Sequence, residues 1–317
     1  MKFAIIKILL FTFTMILVLT LIFIYIYVVG GFDFPPAYFS NSVSFNEKIE
    51  FLKNKDLNKL QIVSVGSSMT LNNINSKIIL EDFDKDQYIN FGSWGFQISN
   101  SGEFLKNMMF AMPNLKYVII STNLIDFSDW QAIKIKDFNK IRFYLTSKLD
   151  LNTIKIPLFF NINYYFKNAA TNKARNERKN SYQNLLYDDC GGITLEIDKE
   201  HVDKKNWNKD VSDYKIIEKE LDSLRSLCNY LHTKNIKLIL SYSPVRKGIF
   251  TKEKYLTNDI EKIKIIVESK KHIFINSYDN GMWDDSLFVD SFHFNRIGTE
   301  IYTAFIMERV FGSKKDD

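Results

Sequence analysis

Short apolar runs alternate with helical patterns in this chain, and each of the first three runs ends in small polar residues. Gln61 to Val65 is rich in β-branched residues and stops at Gly66. Tyr88 to Phe91 stops at Gly92-Ser93, and Lys116 to Ser121 stops at Thr122-Asn123. Such runs, bounded by turn formers, read as strands covered on both faces. Helical spacing precedes the first run from Ile49 to Leu60. It follows the first two, from Leu71 to Asp82 and from Ile98 to Met112, where Pro113 ends it. The rhythm lapses after the third run and resumes with a helix over Tyr214 to Thr233. A strand over Ile236 to Tyr242, a mainly helical Ile249 to Ser269, a strand over His272 to Asn276 and a closing helix over Asn295 to Val310 complete it. Neighbouring parallel strands need a crossover, and helices of this length supply it, so the pattern predicts a parallel sheet with helices on both faces.

Ligands of parallel α/β sheets bind at the carboxyl ends of the strands. Four motifs fall there: Val65-Gly66-Ser67-Ser68-Met69-Thr70, Asn90-Phe91-Gly92-Ser93-Trp94-Gly95, Ser121-Thr122-Asn123 and Asp290-Ser291-Phe292-His293. Ser68 stands at a strand-to-helix turn, where a hydroxyl is open to activation by a base; an ordinary helix cap is the plain alternative, and Ser67 is its rival as nucleophile. Gly95 can offer a backbone N–H to a developing negative charge, and Asn123 a side-chain amide; either also suits a plain turn. Asp290 and His293, three apart, can lie on one side of a turn, the carboxylate orienting the ring and the other nitrogen facing Ser68. These are the parts of acyl transfer through a serine.

The four motifs resemble the SGNH/GDSL hydrolase superfamily, with its Gly-Asp-Ser, Asn-x-x-x-x-Gly, Gly-x-Asn-Asp and Asp-x-x-His blocks. The resemblance covers about residues 61–125 and 236–310. It implies a three-layer α/β/α, flavodoxin-like fold with a five-stranded parallel sheet. Carried over by motif, Ser68 is the nucleophile and His293 and Asp290 complete the triad. Ser68, Gly95 and Asn123 form the oxyanion hole, and no cofactor is implied. Two positions depart from the pattern: Ser67 stands for the aspartate of the first block, and Leu124 follows Asn123 in the third. The Gly-Ser-Ser form and an N-terminal apolar segment are similar to membrane-anchored relatives that handle acyl groups on envelope polysaccharides. The expected activity is an esterase or O-acyltransferase acting on acyl groups, acetyl foremost, of envelope carbohydrate. A non-catalytic envelope protein that docks a membrane acyltransferase or a polysaccharide assembly complex is the competing reading.

The apolar segment runs unbroken from Ile8 to Val29 behind Lys2 and Lys7. Its 22 residues span about 33 Å as a helix, enough for a bilayer core. Without a small-x-small exit site it reads as an uncleaved signal anchor rather than a cleaved peptide. The two lysines keep the N-terminus cytoplasmic, which leaves the rest of the chain extracytoplasmic. Residues 1–31 are then the anchor and 32–60 a membrane-proximal stalk and first helix. Residues 61–125 with 215–317 form the α/β domain. The stretch 126–214, with Phe159-Phe160, Tyr164-Tyr165-Phe166 and a basic run from Lys173 to Lys179, reads as an inserted helical subdomain or lid.

The net charge of +5 comes mainly from lysines interspersed with acidic residues, a solvated surface rather than a nucleic-acid stripe. Arg246 and Lys247, in the loop after the fourth strand, are candidate substrate cations on the motif edge. Cys190 and Cys228 could pair in an oxidising compartment, although Cys228 fits a small buried residue in a helix. The sequence holds no CxxC and no HExxH, and its four histidines are scattered, so no metal site is expected.

Overall fold

The computed structural model describes residues 2–29, 37–129, 133–147, 161, 163–164, 181–209, 214–247, 253–277 and 283–312. Phe159-Phe160, Tyr165-Phe166 and the Lys173–Lys179 run lie outside them. In chain order the elements are α1 (Lys2–Val29), α2 (Val43–Leu52), β1 (Ile62–Ser64), α3 (Ser68–Asn73), α4 (Ser76–Ile79), β2 (Tyr88–Asn90) and α5 (Ile98–Met108). There follow β3 (Tyr117–Thr122), α6 (Phe138–Thr146), α7 (Lys204–Trp207), α8 (Glu218–Thr233), β4 (Lys237–Tyr242), α9 (Glu253–Glu268), β5 (Ile273–Asn276) and α10 (Arg296–Phe311).

The five strands form one parallel sheet in the order β2-β1-β3-β4-β5, the doubly wound flavodoxin-like arrangement. Its reversal point lies between β1 and β3, which leave the sheet toward helices on opposite sides. Ile62, Ile119, Ile239 and Ile275 join Tyr302, Ile306 and Met307 of α10 in one buried cluster. Helices α3 and α4 pack on α10 there, while α8 packs on both α5 and α9. That gives three layers, with the sheet in the middle.

Residues 39–147 and 178–317 form one compact unit, so both ends of the 126–214 stretch belong to the α/β body. Within that stretch the described helical elements include α6, the single turn α7 and the 3₁₀ turn Lys199–His201, and residues 181–198 run mainly as irregular chain and turns. The other unit comprises residues 1–38 and 148–177, and α1 is its main described element. Lys2–Ile24 has mean hydropathy 2.6 and is unburied, long and apolar enough to cross a membrane.

Three helices differ from the periodicity; one of them, α8, begins at Glu218 rather than Tyr214. Another runs from Val43 to Leu52 rather than from Ile49 to Leu60; Ser42 accepts the N–H of Phe45 and caps its start. The helix expected over Leu71 to Asp82 breaks at Ile74. There Asn75 takes an extended conformation and its side chain caps a new turn, accepting from Lys77 and Ile78. Cys190 and Cys228 are free, and burial pushes their thiols up to about 11 and about 12.

Candidate active site

Gly66 ends β1 in a conformation with φ +156, and a Cβ there would sit 2.3 Å from Thr70 Oγ1. The missing side chain lets the Thr70 hydroxyl donate to the Ser121 carbonyl (2.9 Å) and accept from the Ser121 N–H (3.0 Å). This ties the turn after β1 to the end of β3. Ser67 is the cap of α3, accepting the Met69 N–H, and Ser68 is the first helical residue. Both neighbours of Ser68 are buried and Ser68 itself is half-buried.

His293 lies between β5 and α10. Its Nε2 is 2.8 Å from Ser68 Oγ, and its Nδ1 is 2.7 Å from Asp290 Oδ2. The other oxygen of Asp290 accepts the backbone N–H groups of Phe292 (2.9 Å) and His293 (2.7 Å). With Nδ1–H donating to the carboxylate, Nε2 presents its lone pair to the serine hydroxyl. The spacing of three residues works because the carboxylate closes a tight turn around its own backbone and still reaches the ring.

A residue that the motifs leave out holds this turn. Asn73, fully buried at the end of α3, accepts the Phe294 N–H at 3.0 Å and donates to the Phe292 carbonyl at 3.0 Å. One amide thus grips the peptides on both sides of His293, and the same six-residue helix carries Ser68 at its start. From below, Ser291 N–H and Oγ donate to the Asn206 carbonyl, and the Arg246 N–H donates to the Ser291 carbonyl.

Ser68, His293 and Gly95 line one cavity of about 80 Å³ together with Ser67, Met69, Phe96, Gln97, Ile125, Asp126 and Phe292. Gly95 has φ +75, which glycine adopts without strain. Asn123 is not in this wall. It is fully buried and caps the 3₁₀ turn Leu124–Phe127 by accepting the Ile125 N–H. Its Nδ2 is 3.5 Å from Met69 Sδ, a weak acceptor.

Asp126 lies outside the four motifs. It is 6% exposed, and one carboxylate oxygen accepts from Ser67 Oγ at 2.8 Å and from Thr122 Oγ1 at 2.9 Å. Burial pushes its carboxyl up to about 7, against the pull of those two hydroxyls.

The two candidate substrate cations part company. Arg246 is turned inward, with Asp285 at 2.6 Å, the Trp207 carbonyl at 3.0 Å and the Trp207 ring at 4.2 Å from the guanidinium carbon. These partners bind the β4 exit to α7, so the guanidinium serves the loop beneath Asp290. Lys247 is exposed. A larger cavity of about 450 Å³, lined by Trp207, Lys204, Phe288 and Val289 among others, contains neither Ser68 nor His293.

No protein-family model matches the chain, and no curated protein matches it. Among solved structures, a Bacteroides fragilis NCTC 9343 protein assigned as an acylhydrolase is similar, at 14% identity and TM-score 0.39. That match covers 83% of this chain and 92% of the other. LAE5, an alpha/beta hydrolase enzyme from the metagenome of Lake Arreo, Spain, is similar at 10% identity and TM-score 0.40, covering 80% of this chain and 96% of its own.

Proposed function

We propose that this protein is a serine-dependent esterase or O-acyltransferase of the SGNH type, acting through an acyl-Ser68 intermediate on short acyl esters of envelope carbohydrate. The observation that carries the reading is the hydrogen-bonded line Ser68–His293–Asp290, with bonds of 2.8 and 2.7 Å, opening into a cavity shared with Gly95. His293 takes the Ser68 proton as Oγ attacks the ester carbonyl, and Asp290 steadies the imidazolium that forms. The backbone N–H groups of Ser68 and Gly95 face the developing oxyanion. The Asn123 amide joins them once the Met69 thioether gives way to the stronger acceptor. His293 then returns its proton to the leaving alcohol, and water or a sugar hydroxyl resolves the acyl-serine.

The cavity of about 80 Å³, walled by Met69, Phe96, Ile125 and Phe292, suits an acyl group of a few heavy atoms, acetyl foremost. With α1 as a signal anchor, the α/β body would be extracytoplasmic, in the compartment that holds envelope glycans and a membrane acyltransferase as partner.

The test is covalent labelling of the full chain in detergent with a fluorophosphonate, whose tetrahedral adduct resembles the charged intermediate. Wild type is expected to label at Ser68, and Ser68→Ala and His293→Ala to abolish labelling. A folded wild-type protein that takes no label would favour the docking reading instead.

A further inference from the structure

We propose that Asp126 is the positioning residue of the nucleophile turn, and that Ser67 and Asp126 form a Gly-Asp-Ser-like block with the hydroxyl and the carboxyl in exchanged places. The inference rests on the reading of Ser68 as nucleophile. Position 67 lacks the carboxylate that the motif pattern calls for, and so does position 124. In space a carboxyl is nevertheless there, arriving from the 3₁₀ turn after β3 and bonded to Ser67 Oγ at 2.8 Å.

The peptide joining Ser67 to Ser68 carries an N–H proposed to hold the oxyanion. Its orientation depends on Ser67, whose hydroxyl donates to Asp126 and accepts from the Met69 N–H at 3.2 Å. That hydroxyl therefore braces the chain on both sides of Ser68. Thr122 donates to the same carboxylate oxygen at 2.9 Å, and the Asp126 N–H donates to the Asn123 carbonyl at 3.2 Å. The brace is thus anchored in β3, independently of α3. Two hydroxyls converging on one oxygen call for a strong acceptor, which a carboxylate supplies better than an amide or a third hydroxyl. Asp126 also lines the Ser68 cavity, so any tilt of the brace is felt where the substrate carbonyl sits. Oxyanion donors act only within a narrow range of distance, so a small rotation of this peptide is costly to rate while leaving the fold intact.

The exchange can be made by mutation. The readouts are the rate constant for fluorophosphonate labelling of Ser68 and the kcat and KM for p-nitrophenyl acetate, on the full chain in detergent. Asp126→Ser is expected to lower labelling and kcat by roughly tenfold to a hundredfold with KM little changed, a fraction of the loss for a whole oxyanion donor. Adding Ser67→Asp to Asp126→Ser should restore both to within a few-fold of wild type. Ser67→Asp alone, which sets two carboxyls against each other in a buried site, should be slow. A merely structural role would shift the melting temperature while leaving kcat and the labelling rate at their wild-type values. Wild-type labelling in Asp126→Ser overturns the proposal, as does a folded exchange variant no faster than Asp126→Ser. If the exchange variant does not fold, Asp126→Asn and Ser67→Ala are combined. A double variant no slower than the slower single variant supports the link, and losses that multiply overturn it. Absence of any label on wild-type Ser68 is a different failure, that of the nucleophile itself.

Discussion

Replacing Asp290 by asparagine isolates the role of its charge and proton from its role in the turn. In the native arrangement one carboxylate oxygen accepts two backbone N–H groups, from Phe292 and His293, and the other faces His293 Nδ1. Asparagine offers one oxygen and one NH2 group in the same shape. If the oxygen keeps the two backbone donors, the NH2 group faces Nδ1. The ring must then carry its proton on Nε2, pointing at Ser68, and it cannot act as base. If the amide flips, the ring regains its working tautomer, but two buried N–H groups lose their acceptor at about 1–3 kcal/mol each. Even at about 2 kcal/mol in total, only roughly one molecule in thirty is flipped at any moment. The lost stabilisation of the imidazolium adds to this, and the full effect of such a change in a Ser-His-Asp site is about 10⁴-fold, or about 5 kcal/mol. Asp290→Asn is therefore expected to label with fluorophosphonate between about 30-fold and 10⁴-fold more slowly than wild type. Its melting temperature should stay within a few degrees of wild type. A well-folded Asp290→Asn protein labelling within about threefold of wild type would refute the reasoning, because the tautomer argument leaves no route to such a rate.

Asn73→Ala removes both grips on the peptides around His293 and leaves the Phe294 N–H and the Phe292 carbonyl without these bonds. It is expected to destabilise by about 2–4 kcal/mol in urea melts and to slow labelling of Ser68, and unchanged values for both would remove Asn73 from the site. The Asp126 carboxyl is raised in the folded protein to about 7 from an unfolded value of 3.8, so the folded state binds the extra proton. Its burial therefore costs little below pH 4, costs progressively more as pH rises toward 7, and reaches a plateau on the order of 4 kcal/mol. Asp126→Asn should consequently gain stability relative to wild type between pH 5 and pH 8, and parallel melts at the two pH values would contradict this. The position of α1 predicts that an alkaline phosphatase fused at Asp317 is active and an ordinary green fluorescent protein there is dark; the reverse pattern would place the α/β body in the cytoplasm.

The sheet was legible in the sequence because each buried strand is a short apolar run with a turn former at its end. The five observed strands begin and end within a residue or so of those runs. The helices were less so: α2, capped by Ser42, starts six residues ahead of the apolar spacing, and the next break depends on a contact outside the local pattern. Asn75 is a cap, and its own N–H donates to Thr303 of α10, so the break between α3 and α4 belongs to tertiary structure. Lys48 of α2 likewise reaches out of its helix. It is fully buried, donates to the Asn90 and Gly191 carbonyls and lies 4.1 Å from the Tyr187 ring, partners that no local spacing marks.

The candidate site divides along the same line. Ser68, Asp290 and His293 were legible because their order and their places after strands carry the information, and they do come together. Gly95 shares their cavity, whereas the Asn123 amide is turned to Met69. Arg246 follows a strand at the right edge, yet its charge is matched by Asp285, which lies distant in the chain and was not among the motif residues. Asn73 and Asp126 were invisible for the opposite reason. Each is a polar residue a few positions beyond a motif, and each acquires meaning only from the backbone or hydroxyl it meets across the sheet edge. Read along the chain, Ser67 is only a departure from the motif that the sequence resembles. Read across it, the Ser67 hydroxyl donates to the Asp126 carboxyl at 2.8 Å, the contact on which the proposed exchange rests.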